Sequence, residues 1–432
     1  MENIEIEDLG KCKKRFKCSI PSSKVAPEIE RILKDLILNA DISGFRKGKV
    51  PKNIIINKYK NTINREVINN LIPASAESIA RENKIDIIFP IIIENAEISS
   101  DNILEYRVIA EYIPEFELKN YMNINLTKKK NQVKEEEVQE LIKRLQHRVS
   151  ELIVVEDGKK PADGDHVFLD IEMDDKKNKK SSKQIERNIE FVIGSGDLST
   201  QIENHVKEMI KGEEKDIDLK LPAENSGEKI EEESVKYKIV LKEIKKEILP
   251  ELNDDFAKDV GNFKTLDELN LKIREDIIKN KELTEKKDFR NQIKNILLTD
   301  NIFDVPESMI NKEKSALLEN VENMFKRSGR KFNDATTDEK NKIEYDIAEN
   351  AMKNVKLFII FEKIAEKEKD NIKVDNEDLN NKIETWAKNY YSKNEIDKLK
   401  TNNDIRANFL SQILTEKIYD FLTNHAIITD VV

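Results

Sequence analysis

The sequence predicts a multidomain α+β protein, and three observations carry that prediction. The first 115 or so residues alternate between strand-period and helix-period apolar spacing. A middle stretch, about residues 160–246, is built from short strand patterns with one amphipathic helix. From Pro250 onward the spacing is almost entirely helical, with repeated cap signals. At roughly 150 residues per domain, 432 residues suffice for about three domains. Charged residues reach 37% and aromatics only 6%, which favours a soluble, helix-rich chain with thin cores. Eleven glycines and ten prolines are too few for a collagen-like or loop-dominated fold.

The elements follow in order. Phe16, Cys18 and Ile20 alternate with polar residues as a strand. Val25, Ile29, Ile32, Leu33, Leu36 and Ala40 then repeat at helical spacing. A loop, Gly44–Pro51, precedes helical patterns through Ile54–Tyr59 and through Val67, Leu71, Ala76 and Ile79. Leu104, Tyr106, Val108, Ala110 and Tyr112 alternate as another strand. Residues 116–159 form a linker with one helix, whose stripe runs through Val138, Leu141, Leu145, Val149 and Leu152 and predicts packing on another domain.

In the middle stretch, strands pass through Val167, Leu169 and Ile171, near Phe191–Gly194, through Ile217, Leu219 and Leu221, and through Tyr237, Val240 and Leu241. A Lys/Asp/Ser-rich loop spans Asp174–Lys183. The one helix carries Ile202, Val206 and Met209 and ends at Gly212. In residues 247–432, capping boxes stand at Thr265 with Glu268 and at Thr336 with Glu339. Pro306 marks a helix start, Asp375 opens another, and a last long helix runs from about Asn403 to Leu422. Long helices with few glycines predict extended arms rather than one tight bundle.

Residue types exclude most chemistry. The four histidines, His147, His166, His205 and His425, show no metal-ligand spacing. No G-x-S-x-G, phosphate-binding loop or G-x-G-x-x-G occurs, so no cofactor, nucleotide or metal is expected. The net charge of −10 argues against a globally basic nucleic-acid binder. Cys12 and Cys18 are too few for a disulfide framework; their even spacing in one predicted strand makes them a buried, reduced pair. The acidic start lacks the basic and apolar regions of a secretory signal, and nowhere do 18 apolar residues run together. The cytoplasm is therefore the expected location.

The loop Gly44-Phe45-Arg46-Lys47-Gly48-Lys49-Val50-Pro51 stands apart. It sets an aromatic beside three cations in an acidic protein, which a solvated turn does not need. Physically it reads as a docking tip, with Phe45 an apolar anchor, Arg46 a bidentate donor, and Lys47 and Lys49 point charges.

This octapeptide resembles the ribosome-docking signature of the trigger factor family, bacterial chaperones that meet nascent chains at the exit tunnel. The resemblance extends over the whole chain in length and domain order, and Pro250-Glu251-Leu252-Asn253-Asp254-Asp255-Phe256-Ala257 is similar to the family's lead-in to its helical domain. It implies a docking domain at 1–115, the linker at 116–159, an FKBP-type isomerase-like antiparallel β domain with one helix at 160–246, and an extended helical chaperone domain with arms at 247–432. It implies ribosome contacts from Gly44, Phe45, Arg46, Lys47, Gly48, Lys49 and Pro51, with Phe45, Arg46 and Lys47 facing a large-subunit protein and nearby ribosomal RNA. The implied role is ATP-independent shielding of nascent or unfolded polypeptides in folding and export, with a weak homodimer off the ribosome.

An isomerase of this type works through an apolar, aromatic-lined pocket that favours the twisted amide and lowers a barrier of about 18–20 kcal/mol. Here the matching positions depart from the family pattern. Ile171 follows Asp170 where an aromatic is expected; Leu198-Ser199-Thr200-Gln201-Ile202 replaces the pocket floor; Asn225 replaces a tyrosine. Ile230 and Tyr237 match an aliphatic and an aromatic position, and the aromatic flap within Asp174–Lys183 is missing. The expectation is a partly degraded pocket with weak or absent catalysis. The alternatives are a free peptidyl-prolyl isomerase, a helical scaffold without ribosome docking, and an envelope chaperone of similar build, against which the missing signal segment argues. Apolar stripes in the helical region, and Trp386 beside Tyr390 and Tyr391, are expected to be mainly core or arm-tip packing.

Overall fold

The computed structural model describes residues 4–129, 132–174, 184–222 and 232–431, and its chain divides into two compact units. One unit comprises Met1–Lys129 and Glu285–Val432; the other comprises Lys130–Thr284.

The first unit opens with a hairpin of β1 (Glu5–Gly10) and β2 (Lys13–Ile20). Lys11 and Cys12 both take positive φ, 49° and 59°, as a two-residue hairpin turn requires. Cys12 therefore lies in the turn and not in the strand that the sequence pattern suggested. It is buried there, Cys18 is buried in β2, and both are free thiols. Helices α1 (Ser22–Asn39) and α2 (Lys52–Glu82) follow, the second bent at Tyr59. Strands β3 (Ile87–Ile98) and β4 (Leu104–Tyr112) complete an antiparallel sheet of order β1-β2-β4-β3. Phe16, Ile32, Leu33, Ile55, Ile72 and Leu104 close the core between helices and sheet. β5 (Asn125–Lys129) ends this segment.

The second unit begins with α3 (Glu135–Arg148), and its stripe Val138, Leu141, Leu145 and Val149 does become an interface. The partner surface is Phe256 with Leu269, Ile273 and Ile277. Leu152 leaves the stripe, because the helix stops at Arg148 and β6 (Glu151–Val154) begins. Then come β7 (His166–Asp174), β8 (Gln184–Val192), α4 (Thr200–Val206), β9 (Glu214–Pro222) and β10 (Glu232–Ile248). The sheet runs β6-β10-β7-β8, with β9 on β10, and every pairing is antiparallel. A register shift between Leu241 and Glu243 marks a bulge in the long β10. Below it β10 pairs with β9, and above it with β6. α5 (Asp254–Val260) is capped by Asn253, whose Oδ1 accepts from the Asp255 and Phe256 amides at 3.0 Å each. α6 (Leu266–Asp300) opens on the expected cap: the Glu268 amide donates to Thr265 Oγ1 at 3.2 Å.

The first unit resumes with the second half of α6, then α7 (Glu307–Arg327), α8 (Thr337–Lys367), α9 (Asn376–Ala387), α10 (Lys393–Leu399), α11 (Asn403–Asn424) and β11 (Ile427–Val431). The capping box at Thr336 and Glu339 is formed in both directions. The helices share a core of Phe289, Ile293, Leu297, Ile360, Ile364, Ile418 and Leu422. One addition to the helical reading is the parallel pair β5–β11, which joins the segment after the first sheet to the chain's last strand. Trp386 packs at 5.7 Å from the Tyr391 ring and 5.5 Å from Phe409, while Tyr390 is exposed. No described helix is long and apolar enough to cross a membrane.

Candidate docking site

The tip between α1 and α2 is two consecutive tight turns. The Phe45 amide donates to the Ile42 carbonyl at 3.0 Å, and the Lys49 amide donates to the Arg46 carbonyl at 3.0 Å. Each turn places a glycine at its third residue, Gly44 with φ 91° and Gly48 with φ 75°. That position of a type II turn needs positive φ, so glycine is there for the backbone alone: an added Cβ would meet nothing within 4 Å.

The turns are anchored from below. The Gly48 amide donates to the Ile37 carbonyl of α1 at 3.2 Å, and Ile42 and Val50 are buried in the core of the sheet and its two helices. Pro51 then precedes α2 directly. Buried aliphatics on both sides hold the residues between them outward. Phe45 is 40% exposed, and Arg46, Lys47 and Lys49 are exposed. None of these three cations has a side-chain partner among the described residues. The neighbouring Lys52, by contrast, is paired with Glu30. An exposed aromatic beside three unpaired cations, on a backbone fixed by two turns, can seat an apolar ring in a shallow pocket and donate to anionic oxygens around it.

Leu38, 65% exposed in the last turn of α1, is an apolar side chain that sequence reading missed. It follows Ile37, whose carbonyl holds the tip. The signal was its position off the stripe of Ile32, Leu33 and Leu36.

The described positions that the resemblance matches to an isomerase pocket lie in the second unit. Leu198 and Ile202 are buried, at 7% and 8% exposure, and Ile171 and Tyr237 pack half-buried against the same core. Asp170 accepts from the Asn188 amide at 2.7 Å and pairs with Lys242 at 3.1 Å. The Asn188 amide first, and Lys242 after it, hold its carboxyl below the usual range. Asn188 takes φ 55° at a register shift between β7 and β8, so Asp170 is engaged in fixing a bulge. Tyr237 lines a cleft of about 240 Å³ with Glu172, Asp216, Ile217, Asp218, Lys236 and Lys238. Those walls are mostly charged, and Ile171, Leu198 and Ile202 are not among them. Asn225, Ile230 and most of the Asp174–Lys183 loop lie outside the described residues. Among the described residues, no group of three or more His, Cys, Asp or Glu side chains is arranged to hold a metal ion.

Two family models and curated relatives match the chain. The family described as bacterial trigger factor protein matches residues 2–145, and its C-terminal counterpart matches residues 265–424. The chain is 28% identical over 415 residues to the trigger factor of Desulfatibacillum aliphaticivorans, covering 96% of this chain and 94% of that one. It is 29% identical over 440 residues to the trigger factor of Geotalea uraniireducens (strain Rf4), covering 99% and 98%. A solved structure from work on promiscuous substrate recognition in the folding and assembly activities of the trigger factor chaperone aligns with a TM-score of 0.49. It shares 21% identity and covers 97% of this chain and 99% of that chain.

Proposed function

The chain belongs to the bacterial trigger factor family, and from that premise we propose that it is a ribosome-associated chaperone docking through Phe45, Arg46 and Lys47. The single observation that supports this docking assignment is the exposed, unpaired tip on its two anchored turns. Gly44 and Gly48 shape the tip, Lys49 adds charge, and Pro51 starts the following helix. Residues 1–115 are assigned to docking, 116–159 to the linker, 160–246 to the isomerase-like domain and 247–432 to the helical chaperone domain. Clients are nascent or unfolded polypeptides, released passively without nucleotide. The protein works in the cytoplasm and forms a weak homodimer off the ribosome.

The middle domain keeps its β framework but catalyses prolyl isomerisation weakly or not at all. Buried Leu198 and Ile202 and the charged cleft at Tyr237 support this reading.

The test of docking is co-sedimentation of the full chain with ribosomes. Phe45→Ala/Arg46→Ala/Lys47→Ala is expected to abolish it, while suppression of aggregation of an unfolded client persists. Undiminished co-sedimentation of that variant would remove the docking assignment.

A further inference from the structure

Leu152, which the sequence pattern put on a helical stripe, lies instead in β6. All four residues of that strand are exposed, and three in succession are large aliphatics: Leu152 at 39%, Ile153 at 49% and Val154 at 49%. Successive side chains leave opposite faces of a strand, so both faces of β6 are open. The apolar surface continues at the end of β10, where Ile248 stands opposite Glu151, and on through exposed Leu249 and Leu252.

β6 is also a free edge. Among the described residues it pairs only with β10, from Glu151 opposite Ile248 to Val154 opposite Lys245, without a register shift. One residue further on, the Val155 amide donates to the Ile244 carbonyl at 2.9 Å. In an antiparallel ladder both backbone groups of a residue point the same way, and the direction alternates along the strand. Val155 and Ile153 therefore face β10. The N–H and C=O of Leu152 and Val154 face away from it, with no backbone partner among the described residues. Natural edges are often blunted by lysine, proline or a bulge, and β6 has none of these. Its position is fixed from both sides. Ser150 Oγ donates to Glu247 Oε1 at 2.6 Å, and Gln146 Nε2 donates to the Pro250 carbonyl at 2.9 Å. These bonds tie the end of α3 to the end of β10, with the start of β6 between them.

We propose that β6 is a strand-addition site for clients, where an extended, aliphatic-rich segment of an unfolded polypeptide pairs with the free edge at Leu152 and Val154. This inference rests on the chaperone reading and assigns one contact to it. Two observations select the occupant. The free groups recur with the period of a strand, so a chain whose own backbone is unpaired can meet them, while the aliphatics on both faces favour apolar side chains above and below. The second is size: four residues at about 3.3 Å each present roughly 13 Å of edge. So short an edge cannot supply the roughly 1,200–2,000 Å² that a stable interface between two copies buries. It suits a weak, reversible contact with one passing segment.

The experiment is residue-resolved hydrogen exchange of the full chain, with and without an unstructured Val- and Thr-rich peptide. Saturating peptide is expected to slow the Leu152 and Val154 amides by about tenfold or more, while Ile153, already bonded to β10, changes little. The same peptide N-methylated throughout cannot donate and is expected to leave both amides fast. Leu152→Ser/Ile153→Ser/Val154→Ser keeps every backbone group and removes the aliphatics. It is expected to need about tenfold more peptide for half-protection at these positions. Its circular dichroism and ribosome co-sedimentation are expected to match the parent. Unslowed exchange at Leu152 and Val154 overturns the proposal, and leaves the chaperone reading standing if the parent suppresses aggregation of an unfolded client. Equal protection by the N-methylated peptide means apolar contact without strand pairing, and overturns it too. Slowing of the same amides with rising protein concentration and no peptide assigns the edge to a second copy and overturns the client assignment. If the parent suppresses no aggregation, the chaperone reading fails and the proposal fails with it.

Discussion

Phe45 is held in solvent by the backbone on either side of it. The two turns that present it depend on Gly44 and Gly48 at positive φ. Any other L-residue there costs about 1–2 kcal/mol of left-handed strain. Gly44→Ala and Gly48→Ala are each expected to lower the thermal midpoint by roughly a few degrees and to weaken ribosome affinity by up to about tenfold; an added Cβ meets nothing within 4 Å, so the positive φ alone sets the cost. Equal affinity in either variant means that the turn geometry is dispensable. Cys12 makes a different point. Burial first, then the nearby carboxylates of Asp304, Glu111 and Asp8, push its thiol up to about 11. The folded state therefore keeps its proton where the unfolded chain, near 8.5, begins to lose it. Stability attributable to this group is complete below about pH 8.5 and falls as pH rises toward 11. Alkylation of the native protein at pH 8 is expected to leave Cys12 unmodified and to proceed after unfolding; rapid native labelling would contradict its burial.

At the scale of elements, two polar joints within the first unit stand beside the apolar core that Tyr121, Ile124 and Leu126 share with Phe289, Ile293 and Leu297. Asn301, at the end of α6, is 1% exposed. Its Oδ1 accepts from the Lys119 amide at 2.8 Å, and its Nδ2 donates to the carbonyls of Leu297 at 2.9 Å and Lys119 at 3.2 Å. It ties the segment after the first sheet to the helices. Asn301→Ala strands buried backbone groups and is expected to cost about 2–3 kcal/mol, read as a lower urea midpoint. Asn301→Leu is expected to do no better, since shape is not what is lost. A second joint lies at the start of α7. The Ser308 amide donates to Glu111 Oε2 at 2.8 Å, while Lys13 Nζ pairs with Glu307 at 2.8 Å and with Glu111 at 3.8 Å. A carboxylate at a helix start is favoured by the helix dipole. Glu111→Ala is expected to cost about 1–2 kcal/mol in the same assay, and Lys13→Ala less, because exposed pairs contribute little.

For the whole molecule, the decisive measurement is catalysis of a proline-limited refolding reaction, whose spontaneous phase lasts tens to hundreds of seconds. No acceleration, with aggregation suppression intact, is the expected outcome; clear acceleration at catalytic amounts would mean that Ile171, Ile202 and Tyr237 still form a working wall. The sequence by itself determined the periodic elements: the stripes of α1 and α3, the alternation of β4 and β7, the caps at Thr265 and Thr336, and the Gly44–Pro51 tip. These are short-range patterns, written within a few turns of chain. It did not reveal β1, which is too exposed to alternate, nor β3, whose two register shifts scramble its period. The β5–β11 pair was equally hidden, since each strand is five residues long and its partner is nearly three hundred residues away in the chain. Only the tertiary structure placed Cys12 in a turn, left Leu38 in solvent, buried Leu198 and Ile202, and showed which cations lack a partner. Exposure and pairing depend on what distant segments bring to a side chain, and no local pattern records that.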